Sequence, residues 1–380
     1  MNRTDILSAD DAAMMRLALG LSRRGLGRAW PNPSVGAVVW QPTPAGPRVI
    51  ARARTAAGGR PHAETEALRQ AGQRAKGAVL SVTLEPCSHH GKTPPCAEAL
   101  IAAGVSRVVS ALEDPDPRVT GRGHALLRQA GIEVVVGVEQ RAAFLSHIGH
   151  IRRVTQNRPA VLLKLARTAD GYAAAEAGTR LNITGPVGSA RVHIERAEAD
   201  AIMVGIGTVL ADDPLLTCRL PGMAHRSPLR IVLDTQARLP LHTQLVQSAK
   251  TVPFWLIAGE GADAARLAAL QAHGVEIIRV GYGTGSAAQS IDLASALAAL
   301  AERGITRVMS EGGPKVADAL AQQGLVDEVT LITHQKPLGR AGLLAVGPHL
   351  EALIADRTQF EVLPVEQYGE DQILHFARLD

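Results

Sequence analysis

The chain has 380 residues, 46% apolar and 20% charged, with a formal net charge of +4. That balance suits a globular protein and excludes a disordered chain, a collagen or a coiled coil. At one domain per about 100–200 residues it predicts two domains.

No apolar run reaches the roughly 18 residues of a membrane span. The polar start, MNRTDILSADD, has neither the basic flank nor the apolar core of a signal peptide. Three cysteines (Cys87, Cys96 and Cys218) make no disulfide framework in so long a chain. A reduced, cytoplasmic protein with no membrane partner is expected. Residues 1–152 carry 19 basic and 12 acidic side chains, or +7, and residues 153–380 carry 21 and 24, or −3. A basic front half suits a polyanion or a phosphorylated substrate. An Arg-rich composition explains it equally, because only six of the forty basic residues are Lys.

In chain order, VGAVVW (35–40) reads as a strand, and Pro42 to Pro47 as a lengthened surface turn. HAETEALRQAGQ, from His62, has helical periodicity, and AVLSVTLE (78–85) is the next strand. A helix comes next, with Thr93 as N-cap and Pro94 in its first turn. Then come a strand at RVVSAL (107–112), a helix over GHALLRQAG and a strand at IEVVVGV. Such alternation predicts a sheet covered by helices. The polar stretch IRRVTQNRP (151–159) predicts a linker at 153–158, separating a domain of residues 1–152 from one of 159–380. The second half restarts with AVLLKLA (160–166). ADAIMVG, LRIVLD, PFWLIAG, VEIIRVG, ITRVMS, DEVTLITH and QILHFARL are the further strands of a second α/β domain with a mixed sheet.

The chemistry of the first half lies in His62-Ala63-Glu64 and in Pro86-Cys87 through Cys96. One imidazole and two thiolates are good zinc ligands, and a catalytic zinc keeps its fourth position for water. Glu64, two residues from His62, is placed to shuttle protons rather than to bind metal. A helix N-terminus at Cys96 favours its thiolate. The pattern H-x-E, then P-C, then a second Cys is the signature of zinc nucleobase deaminases. The bland alternatives are buried thiols or a purely structural zinc.

Eight residues separate the cysteines. With Glu85-Pro86-Cys87-Ser88-His89-His90-Gly91-Lys92-Thr93-Pro94-Pro95-Cys96 and Pro31-Asn32-Pro33-Ser34-Val35-Gly36, the chain resembles the bifunctional riboflavin-biosynthesis deaminase–reductases over nearly its whole length. The resemblance implies a cytidine-deaminase-like α/β/α sandwich followed by a dihydrofolate-reductase-like α/β domain. It also implies zinc-dependent hydrolytic deamination of a phosphoribosylamino-diaminopyrimidine. His62, Cys87 and Cys96 then bind Zn2+, Glu64 is the proton donor, and Asn32 holds the pyrimidine. Lys92 suits the substrate phosphate, and its alternative is a solvated loop lysine. His89 and His90 are open between a substrate contact and a supporting or surface role.

The second half lacks GxGxxG. It has Glu311-Gly312-Gly313-Pro314 at a strand-to-helix turn, where backbone N–H groups can meet a phosphate. Alone, such a turn serves packing more often than a ligand. With Lys164-Leu165-Ala166, Asp170-Gly171 and Gly205-Ile206-Gly207-Thr208-Val209-Leu210-Ala211-Asp212-Asp213-Pro214 it is similar to the reductase half of that family. This implies an NADPH-dependent reduction of ribosyl to ribityl. The resemblance places Ala166, Thr208, Asp212, Gly313, Pro314, Lys315, Val316, Ala317, Asp318 and Ala319 at NADPH. It places Arg180, Arg196, Leu215, Arg219 and Glu311 at the substrate, with Lys164 and Asp212 as unranked candidates for proton handling. Arg180-Leu181-Asn182 and Tyr172 depart from the family pattern, and Pro337-Leu338-Gly339 looks shortened.

The expected partner is a small phosphoribosyl pyrimidine, not nucleic acid, and the resemblance implies a homo-oligomer, a dimer or tetramer. The rivals are a tRNA-type deaminase with an accessory domain, an active deaminase with a degenerate reductase half, and a non-enzymatic zinc-stabilised binding protein. Scarce aromatics, 3% of the chain, and the long cysteine spacing weigh against the first.

Overall fold

The computed structural model describes residues 8–90, 94–175, 181–284 and 289–379. The chain divides into two compact units, Met1–Asn157 and Arg158–Asp380. Lys92 and Arg180 lie outside the described residues, as does Thr93.

The first unit runs α1 (Ala9–Gly25), β1 (Gly36–Gln41), β2 (Arg48–Arg54), α2 (Ala63–Ala71), β3 (Val79–Val82), α3 (Cys96–Ala103), β4 (Arg107–Ser110), α4 (Arg122–Gln129), β5 (Glu133–Val136) and α5 (Gln140–Gln156). Its sheet has the order β2-β1-β3-β4-β5. The β2-β1-β3 pairs are antiparallel, and β3, β4 and β5 are parallel. Alternation along β1 divides the core. Ala37 and Val39 pack with Ala63, Ala67, Ala97, Leu100 and Leu127 of α2, α3 and α4. Val38 and Trp40 pack with Met14, Met15 and Ala18 of α1 and Ala143 of α5. The result is an α/β/α sandwich. Ser8 caps α1 in a reciprocal box with Asp11, whose buried carboxylate also takes Arg107 at 2.7 and 2.9 Å.

Three expectations shift here. The strand β2 and the flanking helices α1 and α5 are additional to those read from sequence. Helix α3 starts at Cys96 rather than Pro94, because Pro95 biases the residue before it away from helix. Residues 153–156, expected as linker, are the last turn of α5, with Arg152 buried and Arg153 donating to the Pro31 carbonyl at 3.1 Å. The helix stops at Asn157 in the left-handed region (φ 51°), two residues before Pro159.

The second unit runs β6 (Ala160–Arg167), β7 (Tyr172–Ala174), α6 (Pro186–Glu198), β8 (Ala201–Gly205), α7 (Ile206–Asp212), β9 (Leu229–Leu233), α8 (Gln244–Gln247), β10 (Phe254–Gly259), α9 (Ala264–Ala272), β11 (Glu276–Val280), α10 (Leu293–Glu302), β12 (Arg307–Ser310), α11 (Gly313–Gln322), β13 (Glu328–His334), β14 (Leu343–Leu344), α12 (Pro348–Ala355), β15 (Phe360–Val362), β16 (Glu366–Tyr368) and β17 (Asp371–Arg378). The main sheet has the order β11-β10-β9-β8-β12-β6-β13-β17-β15, and β16 also pairs with β17. It is parallel from β11 to β13 and antiparallel beyond, the mixed sheet expected.

Buried carboxylates tie the starts of the central strands together. Asp327 pairs with Arg158 at 2.6 and 3.0 Å and accepts the Val161 N–H. Asp200 accepts the Thr306 N–H, the Thr306 hydroxyl and the Arg307 N–H. Removing one partner of a buried pair strands the other charge. Asp327→Ala is therefore expected to cost about 3–5 kcal/mol in urea unfolding. A loss below about 1 kcal/mol would show that this pair does not hold the sheet edge.

Candidate active sites

In the first unit three local features bring the ligands together. His62 is the N-cap residue of α2, Cys87 lies beyond the end of β3, and Cys96 opens α3. His62 Nδ1 lies 3.7 Å from Cys87 Sγ and 3.4 Å from Cys96 Sγ. All three ligand atoms lie within 4.8 Å of one another. Tetrahedral zinc with Zn–N about 2.0 Å and Zn–S about 2.3 Å requires N···S separations of about 3.6 Å, so the donor set fits that ion in both chemistry and spacing. Cys87 Sγ also accepts the Cys96 N–H at 3.3 Å. Its hydrogen bond with the Cys96 thiol, and then His62, overcome burial and bring the Cys87 thiol down to about 4. Cys96, sharing that proton and buried, is pushed up. Metal would displace the shared proton and leave both as thiolates.

Glu64 is buried in the first turn of α2. Burial raises its carboxyl to about 7, helped by the Cys87 charge. A carboxyl beside the ligands with that protonation range can both accept and return a proton. Asn32 donates to the Gly59 carbonyl at 2.9 Å. Gly59, at φ +85°, leaves it room, since a Cβ there would lie 2.5 Å from Asn32 Nδ2. Next to Cys87, Ser88 Oγ and His89 Nδ1 are buried with no partner among the described residues. His90 is exposed and reaches Glu98 at 3.5 Å. Glu85, which sequence reasoning passed over as part of the motif, accepts the N–H groups of Asp114, Gly121 and His124 and so fixes the loop beyond β4. Only its burial in the fold reveals that role.

In the second unit the C-terminal ends of β6, β8 and β12 converge, the usual ligand position in an open α/β sheet. Helix α7 follows β8 and α11 follows β12. A Cβ at Gly313, φ +73°, would come no nearer than 3.9 Å to Thr208 Oγ1, and Gly207 is open. Backbone N–H groups of α11 and the Thr208 hydroxyl can thus meet a phosphate, which fits a dinucleotide. Asp212 Oδ1 and Ser310 Oγ are buried there without partners among the described residues. Ala166 and Lys164 share a face of β6 and are half-buried. Lys315 is exposed, while Pro314, Val316 and Ala319 are half-buried on the same helix.

Two side chains of that helix are otherwise engaged. Ala317 packs in the core. Asp318 caps α12, accepting the His349 and Leu350 N–H groups and pairing with His349 at 2.8 Å. Of the two expected substrate arginines, Arg196 presents its fork to Glu311 at 2.7 and 2.8 Å and donates to the Thr217 carbonyl. Arg219 is exposed, and Leu215 is half-buried nearby in sequence. Burial alone would push the Glu311 carboxyl up, but Arg196 and then Lys164 hold it at about 2. Tyr172, a departure from the family pattern, sits in the two-stranded antiparallel sheet β7-β14 opposite Leu344.

Comparison with known proteins covers both units. The family described as RibD C-terminal domain matches residues 159–374, and the cytidine and deoxycytidylate deaminase zinc-binding region matches residues 8–112. The chain is similar to the riboflavin biosynthesis protein RibD of Aquifex aeolicus, 36% identical over 97% of this chain and 98% of that one. It is 38% identical to the RibD of Escherichia coli, over 97% and 99%. Among solved structures, Acinetobacter baumannii RibD aligns with TM-score 0.82 at 34% identity over 98% and 99% of the two chains. The Thermotoga maritima diaminohydroxyphosphoribosylaminopyrimidine deaminase/5-amino-6-(5-phosphoribosylamino)uracil reductase aligns with TM-score 0.79 at 33% identity over 97% and 99%.

The geometry predicts about one zinc per chain. Cys96→Ser and His62→Ala should each lower the metal content measured by elemental analysis by at least about tenfold, since neither remaining pair closes a stable site. Stoichiometric zinc in both variants would mean that the metal binds elsewhere.

Proposed function

The chain belongs to the bifunctional deaminase–reductase family of riboflavin biosynthesis, and from that premise we propose how its two units share the work. The protein is an enzyme with a deaminase and a reductase activity, using Zn2+ and NADPH. In our reading residues 1–152 deaminate 2,5-diamino-6-(5-phosphoribosylamino)pyrimidinone, and residues 159–380 reduce the ribosyl group of the product to ribityl. The observation that carries the reading is the convergence of His62, Cys87 and Cys96 beside the buried Glu64.

His62, Cys87 and Cys96 would hold the zinc, which would supply the Lewis acidity that makes water nucleophilic near neutral pH. Asn32 spends its amide N–H on Gly59, which leaves its carbonyl oxygen for the amino edge of the pyrimidine. Glu64 takes a proton from the attacking water and returns it to the departing amine, which leaves as ammonia. Burial of Glu64 excludes bulk water from that exchange. Ser88 and His89, polar and buried beside Cys87, face the same substrate. Lys92 takes its phosphate.

In the second unit NADPH supplies the hydride. The first turn of α11 and Thr208 would hold its phosphates, with Ala166 lining the same site. Glu311 holds Arg196 in place beside the substrate, and the exposed Arg219 meets the ribose phosphate. Lys164, acting on the Glu311 carboxylate, gives the proton to the oxygen freed as the sugar ring opens. The same reading makes the partner a free phosphoribosyl pyrimidine rather than nucleic acid, the assembly a homodimer or homotetramer, and the compartment the cytoplasm. No helix among the described residues is long and apolar enough to cross a membrane.

Glu64→Gln should lower ammonia release by about 10²–10⁴ while retaining zinc. A rate within about twofold of the parent would remove Glu64 from the mechanism. A chelator should stop ammonia release yet leave NADPH oxidation intact when the deaminated intermediate is supplied directly. Loss of both activities would place the metal in both steps.

A further inference from the structure

The segment between α7 and β9 makes a turn that its own residues do not favour. Asp213 and Leu216 both stand in the left-handed region, at φ 39° and φ 53°. A non-glycine residue there is strained and persists only where its surroundings fix it. Leucine is the costlier of the two, since it has no polar group to bond the backbone locally. Leu216 is buried, which pins one point of the turn. Gln244 holds Asp213, its side chain donating to the Asp213 carbonyl at 2.6 Å and its N–H to Oδ1 at 2.9 Å.

Helix α6 supplies further ties from one face, where His193 and Arg196 stand a turn apart. Arg196 donates to the Thr217 carbonyl at 3.1 Å while its fork takes Glu311. The Cys218 thiol donates to the His193 carbonyl at 3.3 Å, and the Cys218 N–H donates to Ser227 Oγ at 3.1 Å. The Arg219 N–H donates to His193 Nδ1 at 3.4 Å. The imidazole thus lies among Arg196, Arg219 and Glu311, all assigned to the substrate. Burial, then Arg196 and Arg219, hold it below its ordinary value, against Glu311 and the Thr217 carbonyl. The ring is therefore neutral near neutral pH, and Nδ1 keeps the lone pair that the Arg219 N–H needs.

We propose that His193 is a positioning residue of the reductase, fixing the turn beyond Leu216 so that Arg219 presents its guanidinium to the substrate phosphate. This rests on the reading of Arg219 as the phosphate-binding residue. A guanidinium on a long side chain can reach a phosphate from many directions. A fixed backbone beneath it makes one of them pre-formed and lowers the ordering cost of binding. Arg196 and Arg219 then act as one clamp carried by α6, the first held by Glu311 and the second by His193. The ligand group it selects is a phosphomonoester. His193 acts through Arg219, so it affects binding and not the hydride step.

The test is steady-state reductase turnover of the full chain with NADPH and the deaminated intermediate. The same compound lacking its phosphate is measured alongside as a competitive inhibitor. His193→Leu should raise KM by about tenfold and keep kcat within about twofold. Ki for the compound without phosphate should stay within about twofold, which general damage to the site would not spare. His193→Asn, whose amide oxygen falls near the place of Nδ1, should restore most of the binding. His193→Gln, whose amide lies farther out, should behave as His193→Leu. If Arg219→Gln keeps the parent KM, the arginine reading is wrong and the role of His193 falls with it. If Arg219→Gln raises KM while His193→Leu stays within about twofold, the arginine stands and the role of His193 is wrong. An equal rise in KM and Ki overturns the proposal, since the effect then does not pass through the phosphate. Should His193→Leu fail to fold, the Asn and Gln variants decide, and equal KM values for the two overturn it.

Discussion

A parallel strand buried on both faces has nowhere to put chemistry except its C-terminal end, and both units obey that constraint. Their central strands are spent on apolar packing, as in the fully buried β3 and β9. Each such strand leads into a short loop and then a helix start, where unpaired N–H groups attract negative charge. Cys87 accepts the Cys96 N–H at such a start, and the Gly313 turn opens another. The two chemistries differ because different side chains were placed at equivalent edges of the two sheets.

The opposite edges carry the mechanical load. Asp327, Asp200 and Arg307 join the beginnings of β6, β8, β12 and β13, while in the first unit Asp11 of α1 holds Arg107 at the start of β4. Each carboxylate accepts several donors, which offsets the cost of its burial. Rigid strand starts hold the strand ends, and a site assembled from several strands depends on that rigidity. Carboxylates at the working ends are treated differently. Glu64 is buried without a cation pair of comparable quality, so its proton is retained toward neutral pH, whereas Glu311 is clamped by Arg196 and stays ionised. Retained protons suit transfer, and a clamped charge suits positioning.

The candidate metal-site residues His62, Cys87, Cys96 and Glu64 were legible in the sequence because their types suit zinc and their order matches the zinc-deaminase signature, and the fold brings the three ligand atoms within 4.8 Å of one another. Alternation of strands and helices was legible in both halves, since periodicity of two and of 3.6 is a local property. Less legible was the edge strand β2, whose RVIARAR run alternates Arg with apolar residues and is exposed on one side. The end of α5 was also hidden, because a polar stretch stays helical when its arginines find partners elsewhere in the unit. The resemblance places Asp318 at the cofactor, and only the fold shows that its carboxylate also caps α12.

By itself, then, the sequence determined the ligand chemistry, the strand–helix rhythm and the two-part organisation. Each is a matter of residue type and of spacing along a short stretch. Only the tertiary structure decided which buried carboxyls are clamped and which keep a proton, and that Lys164, Thr330 and His375 lie in one row. That row exists because β6, β13 and β17 are neighbours in space while far apart in the chain. Register between such strands is set by the packing of whole faces, which no local pattern encodes.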